Sequence, residues 1–179
     1  GIECHLATID LKGRFQREYG LDENEWRNIR HKTAPAGIHL ISSSIYDRLQ
    51  GAYDGDVLLN AAEFQRQLIN HVIKTVRANH EGRLILHSHD WMAGGAVTAY
   101  AKSIKCQVLH TVHNVHTGHI PVEMYTGVNT HELSPYLYFS SAYGKSCVDC
   151  QATAIKNASL VNLVGNQFLY EILGDYFLD

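Results

Sequence analysis

No stretch of this chain approaches the roughly 20 consecutive apolar residues that a membrane-crossing helix needs, and no block of like charge interrupts it. Lysine and arginine number 15 against 18 acidic residues, for a formal net charge of -3. Without a basic tail or patch in the sequence, a generic nucleic-acid or anionic-membrane surface is excluded. No internal repeat or low-complexity segment occurs. The first residue is Gly1, and no charged-then-apolar signal pattern follows it, so the start reads as a cleavage scar or an internal boundary. Hydrophobic residues at 45% and charged residues at 18% rule out wholesale disorder. A chain of 179 residues buries roughly 70% of the surface its unfolded form exposes, so folding requires neither disulfides nor a structural metal.

Several chemical signatures are also missing. Neither G-x-G-x-x-G nor G-x-x-x-x-G-K-[ST] is present, which disfavours a dinucleotide-binding or P-loop enzyme. No G-x-S-x-G elbow exists to activate a serine, and Ser88 lacks the right flanks. Of four cysteines only Cys147 and Cys150 make a C-x-x-C, and no second pair completes a zinc site. The two are read as small buried residues of a reduced, cytoplasmic protein, with a redox pair as the alternative.

What is present is an α/β rhythm. Residues 1–36 carry no clear periodicity. Ile38 to Ile41 reads as a short strand, and Tyr46 to Asp56 as a turn-rich surface loop. Asp56 is placed to cap a long helix, Val57 to Asn79, whose apolar residues recur every three or four positions. Strand 83–87, helix 91–103 and strand 106–112 follow. Residues 114–144, with three glycines and two prolines, read as a long functional loop. Helix 147–157, strand 160–164 and helix 167–173 resume the pattern. Such alternation specifies an open parallel sheet with flanking helices.

Histidine is the one surplus: twelve, of which seven fall between His87 and His131. Two clusters end predicted strands, His87-Ser88-His89-Asp90-Trp91 and Thr111-Val112-His113-Asn114. Ligands of open parallel sheets bind beyond the carboxyl ends of the strands. A two-metal hydrolase pattern would need Asp and His at positions 91 and 92, which hold Trp91 and Met92. The series His110, His113, His116, His119 crosses from strand to loop and presents no single face, and His110 and His131 are expected to be satisfied by backbone hydrogen bonds. Gly94-Gly95 would let an anion approach a helix start, or only let that helix pack closely. A polar set of His, Asn, Asp and Trp suits a hydroxyl-rich ligand, with directional hydrogen bonds to hydroxyls and an aromatic ring over apolar sugar faces.

At these residues the sequence resembles a known family. His87-Ser88-His89-Asp90-Trp91-Met92-Ala93-Gly94 and Thr111-Val112-His113-Asn114 resemble the H-x-H-D-W-x-x-[GA] and T-[IV]-H-N segments of bacterial glycogen synthases and plant starch synthases. Ile45 to Arg48, Tyr53 to Asp56, Asn60 to Phe64, Ala158 to Val164 and Tyr170 to Ile172 resemble further family segments in the same order. The resemblance covers about residues 38 to 173. The sequence departs from the family pattern at Leu59, Glu63-Phe64, Val115 to Gly118 and Gly165-Asn166, and the family's K-x-G-G segment is not found.

The resemblance implies a Rossmann-like N-terminal, acceptor-side domain of a GT-B glycosyltransferase, occupying residues 1–179 in part, with the nucleotide-sugar domain absent. It implies retaining transfer of glucose from ADP-glucose, or another nucleotide sugar, to an α-1,4-glucan, with no metal or other cofactor. The site it implies has His113 and Asp90 as catalytic residues, and His89, Trp91, Asn114 and Gly94 on the substrate side. A non-catalytic glucan-binding domain and a metal-dependent hydrolase using the histidines are the rival readings. The expected partners are the glucan and the nucleotide sugar, with neither nucleic acid nor membrane.

Overall fold

The computed structural model describes residues 2–51 and 53–171. Strand β1 (Leu6–Ile9) leads into helices α1 (Lys12–Tyr19) and α2 (Glu23–Thr33). Asp22 starts α2 with a reciprocal cap: its carboxylate accepts from the Asn24 and Glu25 N–H groups, while Glu25 accepts from the Asp22 N–H. Trp26 buries one face of α2 and stacks on Phe15 of α1. Strand β2 (Ile38–Ile41) then returns parallel to β1, with Leu6 opposite Ile38. Residues 6–36, which carry no legible pattern, thus form a complete strand and helix-pair crossover.

The segment after β2 is not a surface loop throughout. Tyr46 and Leu49 are buried in the core, and the Tyr46 hydroxyl donates to the Asn60 carbonyl. Asn60 in turn donates to the Asp54 carbonyl at 2.7 Å. The loop is therefore clamped at both ends to the helix that follows. That helix starts on Asp56, whose side chain accepts from the Leu59 N–H, and runs as α3 (Val57–Gln67), a π turn (Leu68–Ile73) and α4 (Lys74–Asn79). The wider π turn lets Leu68, Ile69 and Ile73 all reach the core.

Strand β3 spans Ile85–His89, two residues later than the apolar run 83–87 suggested. The 91–103 helix is split: a 3-10 turn, Trp91–Ala93, precedes α5 (Gly95–Ser103), because Gly94 leaves helical geometry at ψ -112°. Strand β4 (Gln107–Val112) lies parallel to β3 and to β8 (Leu160–Leu163), giving the order β3-β4-β8. Val108, His110 and Val112 of this central strand are nearly fully buried.

The 114–144 segment contains more structure than a loop. It holds β5 (His119–Pro121), α6 (Thr130–Leu133) and β6 (Phe139–Ala142). Strands β5 and β6 flank β7 (Lys145–Asp149) in an antiparallel sheet, so Cys147 lies in a strand and α7 (Cys150–Asn157) begins three residues later than expected. Asp149 caps α7 by accepting from the Ala152 N–H at 2.9 Å. Helix α8 (Asn166–Glu171) closes the described chain, and the expected helix residues 172 and 173 lie outside it. The chain is a Rossmann-like α/β fold: parallel strands flanked by helices, with one antiparallel excursion.

Candidate active site at the carboxyl edge of the central sheet

Parallel pairing of β3 with β4 sets Ser88 opposite His110 and His89 opposite Thr111. Both strands therefore deliver their last residues, and the turns beyond them, to one edge. His87 and His89 point to the same side, as residues two apart in a strand must, and their ring centroids are 4.2 Å apart. His113 joins them from the turn after β4, with His113 Nε2 2.9 Å from His89 Nδ1 and the rings stacked at 5.3 Å. Both His89 and His113 are exposed. Burial of part of the His89 ring, and then the neighbouring His87 and His113, hold its pKa below the usual 6.5 against the opposing pull of Asp90. His89 is therefore neutral near pH 7.

Asp90 organises the turn. Its N–H donates to the Thr111 carbonyl at 2.9 Å. Its Oδ1 accepts the His113 N–H at 2.7 Å, and its Oδ2 accepts from Asn114 Nδ2 at 3.3 Å. Asn114 Oδ1 then accepts from the His116 N–H at 2.9 Å. One carboxylate so ties the end of β3 to the turn beyond β4 and fixes the direction in which His113 leaves the sheet. Thr111, which sequence reasoning did not single out as a site residue, lies 2.8 Å by its Oγ1 from His87 Nε2 and accepts from Asn162 of β8 at 3.4 Å. The Thr111-Val112-His113-Asn114 cluster marks the residue, but its partners lie 24 and 51 positions away, so no local pattern reveals these contacts.

Trp91 and Gly94 sit beneath this edge. Trp91 is 8% exposed, and Gly118 lies flat against its ring: a Cβ there would overlap Cε3 and Cζ3. Gly94 is buried against α7, where a Cβ would come 2.5 Å from the Cys150 carbonyl oxygen. Gly118 was legible only as a departure from a family motif, since its contact is with a ring 27 positions away.

The rival chemistries find less. Ser88 is 2% exposed and its hydroxyl lies 2.9 Å from His110 Nδ1, a buried pair with no access for a substrate. His110 thus has a side-chain partner at Nδ1, where backbone partners were expected, while its buried Nε2 has no hydrogen-bond partner among the described residues, and burial lowers its pKa. His131 is exposed. His87, His89 and His113 approach one another in pairs and do not converge on one point: among the described residues the one group of three potential ligand atoms within 4.8 Å of each other is Glu3, His5 and His80, away from this edge. Cys147 and Cys150 are buried free thiols in separate networks. Cys147 Sγ faces the Ala142 carbonyl, while Cys150 lies among Gln65 and Tyr125 with its pKa pushed up to about 12 by burial. That excludes a reactive thiolate at Cys150 near neutral pH. No helix among the described residues is long and apolar enough to cross a membrane.

No curated protein matches the chain. The family model described as the starch synthase catalytic domain matches residues 6–178, which extends the motif resemblance back through β1, α1 and α2. The two histidine-bearing strand ends, their parallel pairing and this match over nearly the whole length lead to one assignment: the chain belongs to the starch synthase catalytic domain family of glycosyltransferases.

Proposed function

We propose that this chain is the acceptor-side domain of a retaining glucosyltransferase that moves glucose from ADP-glucose to the non-reducing end of an α-1,4-glucan. The observation that carries the reading is the Asp90 carboxylate, which holds the His113 N–H at 2.7 Å beside an exposed His89–His113 pair. Family membership supports a glycosyltransferase, with a nucleotide sugar and a glucan as its general substrates. In this reading the His113 ring hydrogen-bonds the donor glucose and orients it, and His89 borders the same pocket. Asp90 acts through His113 as a positioning residue, because both its oxygens are already engaged. Asn114 keeps the turn in register, while Trp91 and Gly94 support the edge from below. Stabilisation of the cation-like sugar and of the departing phosphate is electrostatic, and the phosphate-side charges come from a second, nucleotide-binding domain. No resident cofactor takes part. Buried free thiols and the balanced charge fit a cytoplasmic setting.

The test is His113→Ala in the complete enzyme, assayed for transfer from ADP-glucose to glycogen alongside thermal unfolding. Turnover is expected to fall about 100-fold or more, with stability changed by less than roughly 0.5 kcal/mol, as for an exposed side chain. Near-normal turnover in a folded variant would remove His113 from the centre of the site.

A further inference from the structure

A second polar cluster lies at the opposite, amino-terminal end of the strands. Glu3 and His5 precede β1 two residues apart, and their side chains meet, with Glu3 Oε1 3.0 Å from His5 Nε2. His80 follows α4 on the turn that leads toward β3, and its Nε2 lies 3.2 Å from the same Glu3 oxygen. The three ligand atoms all fall within 4.8 Å of one another. Behind them His5 Nδ1 is 2.9 Å from His39 Nε2 of β2, with the two rings stacked.

We propose that Glu3, His5 and His80 bind a divalent transition metal ion of the Zn²⁺ type, which ties the β1–β2 pair to the β3–β4–β8 sheet. Tetrahedral zinc with bonds of about 2.0–2.1 Å to nitrogen and oxygen sets its ligand atoms about 3.3 Å apart. The two separations to Glu3, 3.0 and 3.2 Å, are close to that spacing, and the His5 and His80 ligand atoms lie within 4.8 Å of each other, so side-chain rotation brings the set to an ion. Two imidazoles and one carboxylate select zinc-like ions over Mg²⁺ and Ca²⁺, which prefer oxygen ligands. His39 supplies the outer contact: when His5 donates Nδ1–H to His39 Nε2, the His5 lone pair stands on Nε2, toward Glu3. Three protein ligands leave the fourth position to water.

The location gives the ion a structural task. Strands β1 and β3 belong to separate sheets, with no backbone ladder between them. A metal held by Glu3 and His5 from one side and His80 from the other crosses that boundary. The site is at the far end of the strands from His89 and His113, so it lies apart from the transfer chemistry. His5, His39 and His80 also fall outside the His87–His131 segment, which leaves them unexplained by the active-site reading.

The competing occupant of the same geometry is a proton, with protonated His5 or His80 paired to the Glu3 carboxylate. Calorimetric titration of the untagged, chelator-treated chain with ZnCl₂ at pH 7.5 separates the two. One equivalent is expected to bind, and Zn²⁺ at about 100 times its Kd should raise Tm by roughly 5–10 °C, reversed by EDTA. His80→Ala and Glu3→Gln should each weaken binding at least about 10-fold, and His39→Ala by about 10–100-fold. Glu3 and His80 are both substantially solvent-exposed, so those two variants keep the fold. Absence of binding heat and of a Tm shift in the unaltered chain overturns the proposal, as does stoichiometric binding that survives both His80→Ala and Glu3→Gln.

Discussion

Asp90 has φ 51° and ψ -177°, a conformation that costs a residue with a side chain of order 1–3 kcal/mol. The carboxylate offsets this by accepting from His113 and Asn114, so the strain and the hydrogen bonds are two sides of one arrangement. Replacing Asp90 separates them. Asp90→Ala loses the bonds and keeps the strain; Asp90→Gly loses the bonds and relieves it. Thermal unfolding should therefore rank Asp90→Gly above Asp90→Ala by about 1 kcal/mol, and the reverse order would mean that the backbone at 90 is not left-handed. Histidine burial makes a second claim at this scale. His39, His89 and His110 all have pKa values held below 6.5, chiefly by burial. The unfolded chain then binds more protons than the folded one as pH falls through about 6.5, so stability is full above that pH and declines below it. Tm should drop between pH 7 and pH 5.5, and His110→Gln should flatten that slope; a Tm that rises on acidification would contradict the shifts.

At the scale of elements, the packing of α5 on α7 carries the site. Gly94 lets the two helices approach until its Cα is close to the Cys150 carbonyl, and that backbone atom cannot move aside as a side-chain tip can. Gly94→Ala should destabilise the fold by about 1–3 kcal/mol through overpacking. Chemical denaturation would read this directly, and an unchanged midpoint would show that the helices are free to separate. The same elements show what a sequence reveals. The 57–79 helix was legible because Ala61, Ala62, Leu68, Ile69, Ile73 and Val76 form a buried stripe. The edge cluster was legible because His89, Asp90, His113 and Asn114 fall at or just beyond the ends of predicted strands. α1 was not, because none of its residues is buried and no stripe exists to be read. β5 is three residues long, too short for alternation, and its partner β7 was absorbed into the helix after it because Ser146-Cys147-Val148 suits either state. The contacts of Thr111 and Gly118 arise from chain segments brought together only by folding.

For the molecule as a whole, the site is one wall. His89 and His113 stand exposed at the carboxyl edge of β3 and β4, with the sheet beneath them and solvent above. The segments that build this wall, residues 87–94 and 111–119, contain no lysine or arginine, and Asp90 adds a negative charge. A nucleotide sugar brings a diphosphate, whose departure is favoured by cationic or N–H donors placed on it beforehand. This wall offers imidazoles that are suited to sugar hydroxyls, and little to hold two phosphates. Transfer also requires donor and acceptor to be fixed against each other, an orientation effect worth about 7–11 kcal/mol at its best. The chain of residues 1–179 by itself is therefore expected to be folded and inactive. Incubated with labelled ADP-glucose and glycogen, it should show no time-dependent incorporation above a no-protein blank, while a longer chain carrying a nucleotide-binding half should show it. Steady incorporation by the 179-residue chain would place the phosphate-side charges within this domain and would require a site other than the neutral edge at His113.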